Sequence, residues 1–158
     1  AAVWSALEYS GVPGVAGVWQ HGPFATIIAI KQHYGGHARQ AAAIALGVRT
    51  SLALGRFIIV VDDDIDPSDL KDVFWAVTTR CDPATQTEIL RDLPTSDINP
   101  RIAPDERAQG RFVASRIVID ACKPYRWLNE FPPSNVMSPD KKKQVADKWR
   151  SVLCRLGS

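Results

Sequence analysis

The stretch RFIIVVDDDIDPSDLKD, residues 56–72, decides the fold class of this chain. Its first part is a β-branched apolar run without alternation, which predicts a central strand that is buried on both faces. Its second part predicts the start of a helix that continues to Arg80, with Asp66 as the N-cap and Pro67 at the first helical position. The predicted apolar face of that helix consists of Leu70, Val73, Phe74 and Val77.

Further predicted elements alternate around this stretch. They are a helix in VWSALEY (residues 3–9) and strands in VAGVWQHG (15–22), FATIIAIKQ (24–32) and RIVIDA (116–121). An Ala- and Leu-rich segment predicts one long helix from His37 to about Leu54, with Gly55 in the C-cap position. Residues 81–110 are polar and hold four prolines, which predicts a long loop. Strands alternating with helices predict an α/β domain with a mostly parallel sheet sandwiched by helices.

The end of the chain predicts a separate element. We expect residues 1–136 to form a single α/β domain and residues 137–158 to form an amphipathic helix, with Ser138 as its N-cap. The apolar stripe of that helix consists of Val145, Trp149, Val152 and Leu153. Such a stripe must dock on a surface, which is either another subunit or the helix's own domain.

The bulk composition excludes several classes of protein. The chain has 158 residues, of which 46% are hydrophobic and 23% charged, as in an ordinary globular domain. A net charge of +2 predicts no nucleic-acid partner, and no apolar run is long enough to predict a membrane span or a signal peptide. The three cysteines show no paired spacing, which predicts a reducing, cytoplasmic location. The chain begins inside a predicted helix without an initiator Met, which suggests a piece of a longer protein.

The aspartates after the central strand allow both chemical and structural roles. A calcium loop of the EF-hand type fails, because Pro67 and Val73 stand where glycine and glutamate are needed. An aspartyl nucleophile at Asp62 or a metal site of a nucleotide-sugar transferase remains open at the end of such a strand. The structural alternative assigns Asp66 to a helix cap, and lets residues 62–64 bond loop amides or pair with arginines such as Arg80. The three histidines form no recognisable set of metal ligands.

Several segments together resemble one family. They are IAIKQHYGGHARQ, GRFIIVVDDDIDPSDLKDVFWAVTTRCDP, SRIVIDACKP and VADKWRSVL, in that order. They are similar to the C-terminal part of the UbiD-type decarboxylases, which use prenylated FMN to remove CO₂ from aromatic or α,β-unsaturated acids. The resemblance runs from about Gly17 onward and implies a non-oxidative, reversible decarboxylation by covalent attachment of the substrate to the cofactor.

The resemblance also implies what this chain lacks. In the family, the catalytic Glu-Arg-Glu set and the ligands of a divalent metal, Mn²⁺ or Mg²⁺, with K⁺, lie in the preceding flavin-binding half. The resemblance therefore implies no catalytic residue and no metal ligand in this chain, which we expect to be inactive alone. It implies a domain that closes over the flavin-binding half and forms part of the substrate pocket.

Site residues are implied at two places. The family carries a basic residue that reaches the cofactor at the end of the helix before the central strand, where this chain has Thr50, preceded by Arg49. The next turn and the loop after the following helix line the substrate pocket in the family. The matching residues here are Ala53, Leu54, Ser96, Asp97 and Ile98. Relatives often carry proline in place of Asp97, a departure that bears on the choice of substrate.

The family also implies partners. They are the flavin-binding half of the same protein, a small acid substrate and further copies in a homodimer or higher homo-oligomer, with the terminal helix docked on a neighbouring subunit. Two other functions stay open. One is a metal-dependent transferase or phosphatase that uses the Asp62–Asp66 cluster, and the other is a non-catalytic interaction module.

Overall fold

The computed structural model describes residues 2–48, 55–133 and 139–156. The strands are β1 (Val15–His21), β2 (Ala25–Ile30), β3 (Phe57–Asp62), β4 (Thr87–Pro94) and β5 (Val113–Ala121). The helices are α1 (Ala2–Tyr9), α2 (His37–Gly47), α3 (Leu70–Arg80), α4 (Pro83–Gln86), α5 (Pro104–Ala108) and α6 (Pro139–Leu156). A short 3₁₀ turn covers Tyr125–Trp127.

The described strands form one sheet in the order β1-β2-β3-β5-β4. Strand β3 lies in the middle and runs parallel to both β2 and β5. The edge strands β1 and β4 run antiparallel to their neighbours, so the parallel part is the centre of a mixed sheet. The predicted α/β class is confirmed, and so is the placement of the sequence FIIVVD as the central strand.

Helices cover the two faces of the sheet unequally. Helices α1 and α2 pack on the first face, where the inward side chains are fully buried. This core includes Leu7, Ile28, Ile30, Ala41, Ala45, Ile58 and Val60. Helix α3 packs on the second face through Val73 and Ala76, which lie against Ile27 and Val61.

Helix α2 is shorter than the sequence predicted. It ends at Gly47, and Val48 is already extended, with ψ of 128°. The prediction of one continuous helix from His37 to Leu54 is therefore wrong, while residues 49–54, which precede the predicted cap Gly55, lie outside the described residues. Glycine is among the weakest helix formers, and a β-branched residue directly after it favours extended backbone.

Helix α3 begins later than predicted. Its N-cap is Asp69, whose carboxylate accepts the backbone N–H of Lys71 at 2.8 Å. Asp66 instead accepts both the N–H and the hydroxyl of Ser68, and so forms a separate turn before the helix. Pro67 lies in that turn, outside the helix. The cap was thus predicted at the wrong aspartate, because both aspartates precede a suitable helix start.

The predicted apolar face of α3 is only half right. Val73 is buried, but Leu70 and Phe74 are 54% and 69% exposed, and Ala76 and Arg80 are buried in their place. The helix therefore packs on the sheet through a different face from the one that its large apolar residues predicted.

The segment predicted as a loop, residues 81–110, contains regular structure. It holds α4, strand β4 and α5. Strand β4 lies at the sheet edge and is mostly exposed, and the pairing with β5 shifts between Leu90 and Leu93, where Asp92 has φ of 57°. An exposed edge strand with such a bulge lacks the alternation by which a strand is predicted.

The terminal segment is helical, as predicted, over Pro139–Leu156. The predicted cap Ser138 lies outside the described residues. Within the described part of the chain, no helix is both long and apolar enough to cross a membrane.

Candidate functional site

The predicted aspartate cluster lies at the carboxyl edge of the parallel strands and ties three strand ends together. Asp62, the last residue of β3, accepts a hydrogen bond from the Gln32 side chain at 2.7 Å and another from the Lys123 backbone N–H at 2.7 Å. Gln32 follows β2 and Lys123 follows β5. Gln32 also donates to the Lys123 carbonyl at 2.8 Å, which closes the ring of contacts.

Arg80 joins Asp62 to Asp64 from the last position of α3. Its guanidinium donates to Asp62 Oδ2 at 2.9 Å and to the two oxygens of Asp64 at 2.8 and 2.9 Å. Lys123 Nζ adds a contact to Asp64 at 2.7 Å. The Arg80 guanidinium carbon also lies 5.1 Å from the centre of the Trp75 ring. We call Gln32, Asp62, Asp64, Arg80 and Lys123 the carboxyl-edge clasp.

The contacts within the clasp favour the charged forms of both Asp64 and Arg80. Partial burial disfavours the charged form of Asp64, but hydrogen bonds from Arg80 and Lys123 outweigh it and lower the pKa of Asp64. Burial likewise opposes the charge of Arg80, yet the bonds to Asp64 and the charge of Asp62 raise the pKa of Arg80. The pairing with Arg80 that the sequence offered as one alternative is therefore what the structure shows.

The clasp is not arranged as a nucleophile or metal site. Both Asp62 oxygens are bonded, and both Asp64 oxygens face Arg80. Within residues 2–48, 55–133 and 139–156, no three His, Cys, Asp or Glu side chains are grouped as metal ligands. An aspartyl nucleophile would have to break the Arg80 pair before it could attack, which argues against the phosphatase and transferase alternatives.

The sequence assigned no chemical role to two groups that the structure buries, His37 and Cys122. His37 is fully buried at the start of α2, where its Nδ1 accepts the His33 N–H at 3.2 Å. Burial, then the nearby His33, lowers the pKa of His37, so the neutral ring is favoured. Burial and then the charge of Asp120 raise the pKa of the Cys122 thiol, which makes it a poor nucleophile.

Three of the residues that the resemblance implies for the pocket, Ser96, Asp97 and Ile98, lie at the opposite edge of the sheet. Residues 96–98 follow β4 and precede β5, next to the amino ends of β3 and β5. With about 3.3 Å per residue along the six residues of β3, the two edges are separated by about 16 Å. The aspartate cluster and the 96–98 turn are therefore different places on the domain.

A buried asparagine holds the 96–98 turn. Asn99 is 1% exposed, and its side-chain oxygen accepts Arg56 Nη2 at 2.8 Å and the Arg101 N–H at 3.1 Å. Arg107 adds bonds to the carbonyls of Asp97 and Asn99. Sequence reasoning missed Asn99, which shows itself only as a small polar residue before Pro100.

The three implied residues of this turn differ in their surroundings. The Ser96 hydroxyl donates to Asp97 at 2.9 Å and accepts the Ile98 N–H at 3.3 Å. The Ile98 side chain is 64% exposed. The implied residues Arg49, Thr50, Ala53 and Leu54 lie outside the described residues. Arg56, which follows them in the chain, directly contacts Asn99.

A polar cleft of about 370 Å³ opens beside this turn. Arg56, Arg101 and Arg111 line it together with Asp92 and Glu106. Guanidinium groups are suited to carboxylate and phosphate oxygens, so the cleft brings positive charge to the amino edge.

Comparison with known proteins identifies relatives of the chain. Residues 1–121 match the family of the 3-octaprenyl-4-hydroxybenzoate carboxy-lyase C-terminal domain, UbiD_C. An uncharacterized protein of Archaeoglobus fulgidus is 33% identical over 129 residues, which are 80% of this chain and 25% of that protein.

Solved structures share the fold. The vanillic acid decarboxylase of Sedimentibacter hydroxybenzoicus in closed form is 26% identical, with a TM-score of 0.67, over 96% of this chain and 31% of that one. The UbiD-class enzyme HmfF of Pelotomaculum thermopropionicum, solved with FMN, is 24% identical, with a TM-score of 0.74, over 90% of this chain and 30% of that one. At that identity the likeness to HmfF shows the fold alone. The chain spans about a quarter to a third of the length of these relatives.

Proposed function

The chain belongs to the UbiD carboxy-lyase C-terminal domain family, and from that premise we propose that it caps the active site of a decarboxylase. The parent enzyme removes CO₂ reversibly and without net oxidation from an aromatic or α,β-unsaturated acid. Its catalytic residues, and a site for Mn²⁺ or Mg²⁺ with K⁺, lie in a flavin-binding half that precedes this domain. Prenylated FMN, when bound there, supplies the covalent attachment point for the substrate.

The family match over residues 1–121 carries this proposal, and the geometry of the amino edge supports the location of the pocket. The Arg56–Asn99 bond joins the 96–98 turn to the strand that follows residues 49–54. We propose that Arg49 or Thr50 contacts the cofactor, and that Ala53, Leu54, Ser96, Asp97 and Ile98 form the domain's side of the pocket.

The role of the domain is positioning and exclusion of water. A wall held by buried Asn99 can close over an acid while Ile98 presents an apolar surface to its ring or alkene. The arginines of the polar cleft bring positive charge to the same edge, which suits an anionic acid and a cofactor phosphate. The vanillic acid decarboxylase has been solved in closed and open forms, which is the kind of motion that we propose here.

We also propose a cytoplasmic homo-oligomer in which residues 137–158 dock on a neighbouring subunit. The described cysteines Cys81 and Cys122 are free thiols, a state that a reducing compartment maintains. In the part of the chain that the structure describes, α6 exposes its apolar side chains Val145 and Trp149. A partner surface would remove that exposure.

The test is an activity assay of the longer protein that carries this chain. We expect the full-length enzyme, loaded anaerobically with prenylated FMN, to release CO₂ from at least one member of a panel of aromatic and α,β-unsaturated acids. The 158-residue chain under the same conditions is the control, and we expect no turnover from it. A full-length protein without a flavin-binding half, or a loaded enzyme that releases no CO₂ from any acid of the panel, would contradict the proposal.

A further inference from the structure

The polar cleft at the amino edge continues the two chain segments proposed above for the substrate pocket. Arg56 lines the cleft two residues after Leu54, and Arg101 lines it three residues after Ile98. The Asn99 side chain accepts Arg56 Nη2 at 2.8 Å, which ties Arg56 to the turn that carries Ile98. The cleft and the proposed wall of the pocket are therefore built from the same two segments.

The lining of the cleft carries more positive than negative charge. Three arginines line it against two acids, Asp92 and Glu106. Among the described residues, none of these arginines forms an ion pair with a carboxylate. Arg101 and Arg111 are exposed at the surface of the cleft, so their guanidinium groups are accessible to an anion in solution.

A further guanidinium beside the cleft is buried without a counter-charge. Arg116 is 3% exposed and lies next to Arg56, whose carbonyl accepts the Ile117 N–H at 2.8 Å. Arg116 Nη2 donates to the Pro94 carbonyl at 2.9 Å, at the level where Pro94 pairs with the cleft residue Val113. Among the described residues, its Nη1 has no hydrogen-bond partner, and burial lowers the pKa of Arg116. An anion bound close by would stabilise such a buried cation.

The place of this charge relative to the reacting group indicates a class of substrate. In the proposed function, the carboxylate that leaves as CO₂ lies over the flavin, next to the catalytic residues of the preceding half. The arginines of the cleft approach the acid from the capping domain, on the side opposite to the flavin. Guanidinium groups bind carboxylates through paired N–H donors. An acid with a second carboxylate at its other end can therefore be held from both sides at once.

We propose that the polar cleft binds a second, unreactive carboxylate of the substrate, and that the parent enzyme acts on aromatic or α,β-unsaturated dicarboxylic acids. Arg101 and Arg111 donate to this carboxylate, and the buried charge of Arg116 adds to its attraction. The inference rests on the proposed function and adds to it the second anionic group of the substrate.

Binding to the full-length protein tests the site apart from catalysis. The protein is loaded with unmodified FMN, which lacks the attachment point for the substrate, so that no turnover interferes. The probes are terephthalate, isophthalate and trans,trans-muconate. Each is compared by calorimetry with its monoamide, which keeps the shape of the acid and removes one charge. We expect at least one diacid to bind about tenfold tighter than its monoamide, or more.

Substitutions in the cleft should remove this preference. The double variant Arg101→Gln/Arg111→Gln should lose most of the difference between diacid and monoamide, because it keeps polar side chains and removes both charges. Each single variant should lose part of it. Arg91→Gln is the matched control, since Arg91 is an exposed arginine of β4 that does not line the cleft, and it should keep the full preference. All the substituted side chains are exposed, so equal melting temperatures are expected.

Three results would overturn the proposal. The first is that no diacid binds tighter than its monoamide. The second is an unchanged preference for the diacid in the double variant and in both single variants. The third is a double variant that loses FMN and keeps the preference for the diacid, which would assign the arginines to the phosphate of the cofactor.

The outcome is separable from the decarboxylase assay. If the enzyme loaded with prenylated FMN releases CO₂ from monoacids and no diacid is preferred, the second-carboxylate inference fails and the proposed function stands. If a diacid binds through Arg101 and Arg111 and no acid is decarboxylated, the proposed function fails and the second-carboxylate site stands.

Discussion

Arg80 forms a buried ion pair with Asp62, with Nη1 2.9 Å from Oδ2 and only 0% and 5% of the two side chains exposed. The pair joins the last residue of α3 to the last residue of β3, and Arg80 also holds Asp64. A buried ion pair adds little net stability over an apolar pair, but the loss of one partner leaves a buried charge uncompensated.

The first prediction concerns the loss of one partner of this buried pair. Arg80→Leu should lower the free energy of unfolding by about 3–5 kcal/mol, because the Asp62 carboxylate keeps its burial and loses its counter-charge. Arg39→Leu is the control, since its pair with Glu88 is about half exposed on both sides. Removal of that pair should cost less than about 1 kcal/mol in urea unfolding. Equal effects of the two substitutions would show that the clasp is not a buried pair.

The second prediction concerns the start of α3. Asp69→Ala should lower the free energy of unfolding by about 1 kcal/mol, because the Lys71 N–H loses its cap. Asp69→Asn should lower the free energy of unfolding by only a few tenths of the loss in Asp69→Ala, since asparagine caps equally well. Asp66→Ala should cost less than Asp69→Ala, because Asp66 holds a turn outside the helix. The reverse order in urea unfolding would restore Asp66 as the cap.

The fold class was predictable because its strongest element is local. A β-branched apolar run such as the one in β3 favours a strand that is covered on both faces, and this preference does not depend on distant parts of the chain. The end of α2 was harder to predict, because a helix of Ala and Leu has no strong stop, and Gly47 and Val48 are a weak one. Strand β4 was missed because edge strands are polar, and its bulge at Asp92 disrupts the period of two.

The contacts at the candidate sites were likewise predictable only where they join elements that are close in sequence. The pairing of Asp62 with Arg80 could be proposed from the sequence, because Asp62 ends the central strand and Arg80 ends the helix that follows it. The contacts of Gln32 and Lys123 could not, since these residues reach Asp62 from 30 and 61 positions away and depend on the strand order β2-β3-β5. The Asn99–Arg56 bond also spans two segments whose proximity only the fold creates.

The third prediction concerns acid. The pKa of Asp64 is lowered in the folded state, so its ionised form stabilises the fold above the unfolded pKa of about 3.9. This contribution is lost as the pH falls through the lowered, folded pKa. Wild type should therefore be more stable than Asp64→Asn at pH 7, and the difference should shrink below about pH 4. Urea unfolding at several pH values measures it; Asp63→Asn, at an exposed neighbour, is the control and should differ little from wild type at pH 7.

The fourth prediction concerns Asp120, whose ionised form destabilises the fold, in contrast to that of Asp64. Burial and the like charge of Asp62 raise the pKa of Asp120 despite its bond from the Cys122 N–H at 3.0 Å. An acid with a raised folded pKa destabilises the fold once it ionises, and this cost disappears as the pH falls through the unfolded pKa. Asp120→Asn keeps an acceptor for Cys122 and loses the charge, so its Tm should exceed that of wild type at pH 7. The gain should vanish near pH 3; a lower Tm at pH 7 would contradict the assignment.

The last prediction connects the amino edge to catalysis. Asn99→Ala removes the acceptor of Arg56 Nη2 and of the Arg101 N–H, and should lower the free energy of unfolding by about 1–3 kcal/mol. If the 96–98 turn forms a wall of the substrate pocket, the same change in the full-length enzyme should raise KM more than it lowers kcat. Asp97→Ala is the matched comparison, because Asp97 contacts Arg107 through its backbone carbonyl, and the side-chain bond that it loses, from the Ser96 hydroxyl, is exposed. It should leave stability nearly unchanged and shift KM among acids of different size. Unchanged KM values in both variants would place the substrate pocket away from this turn.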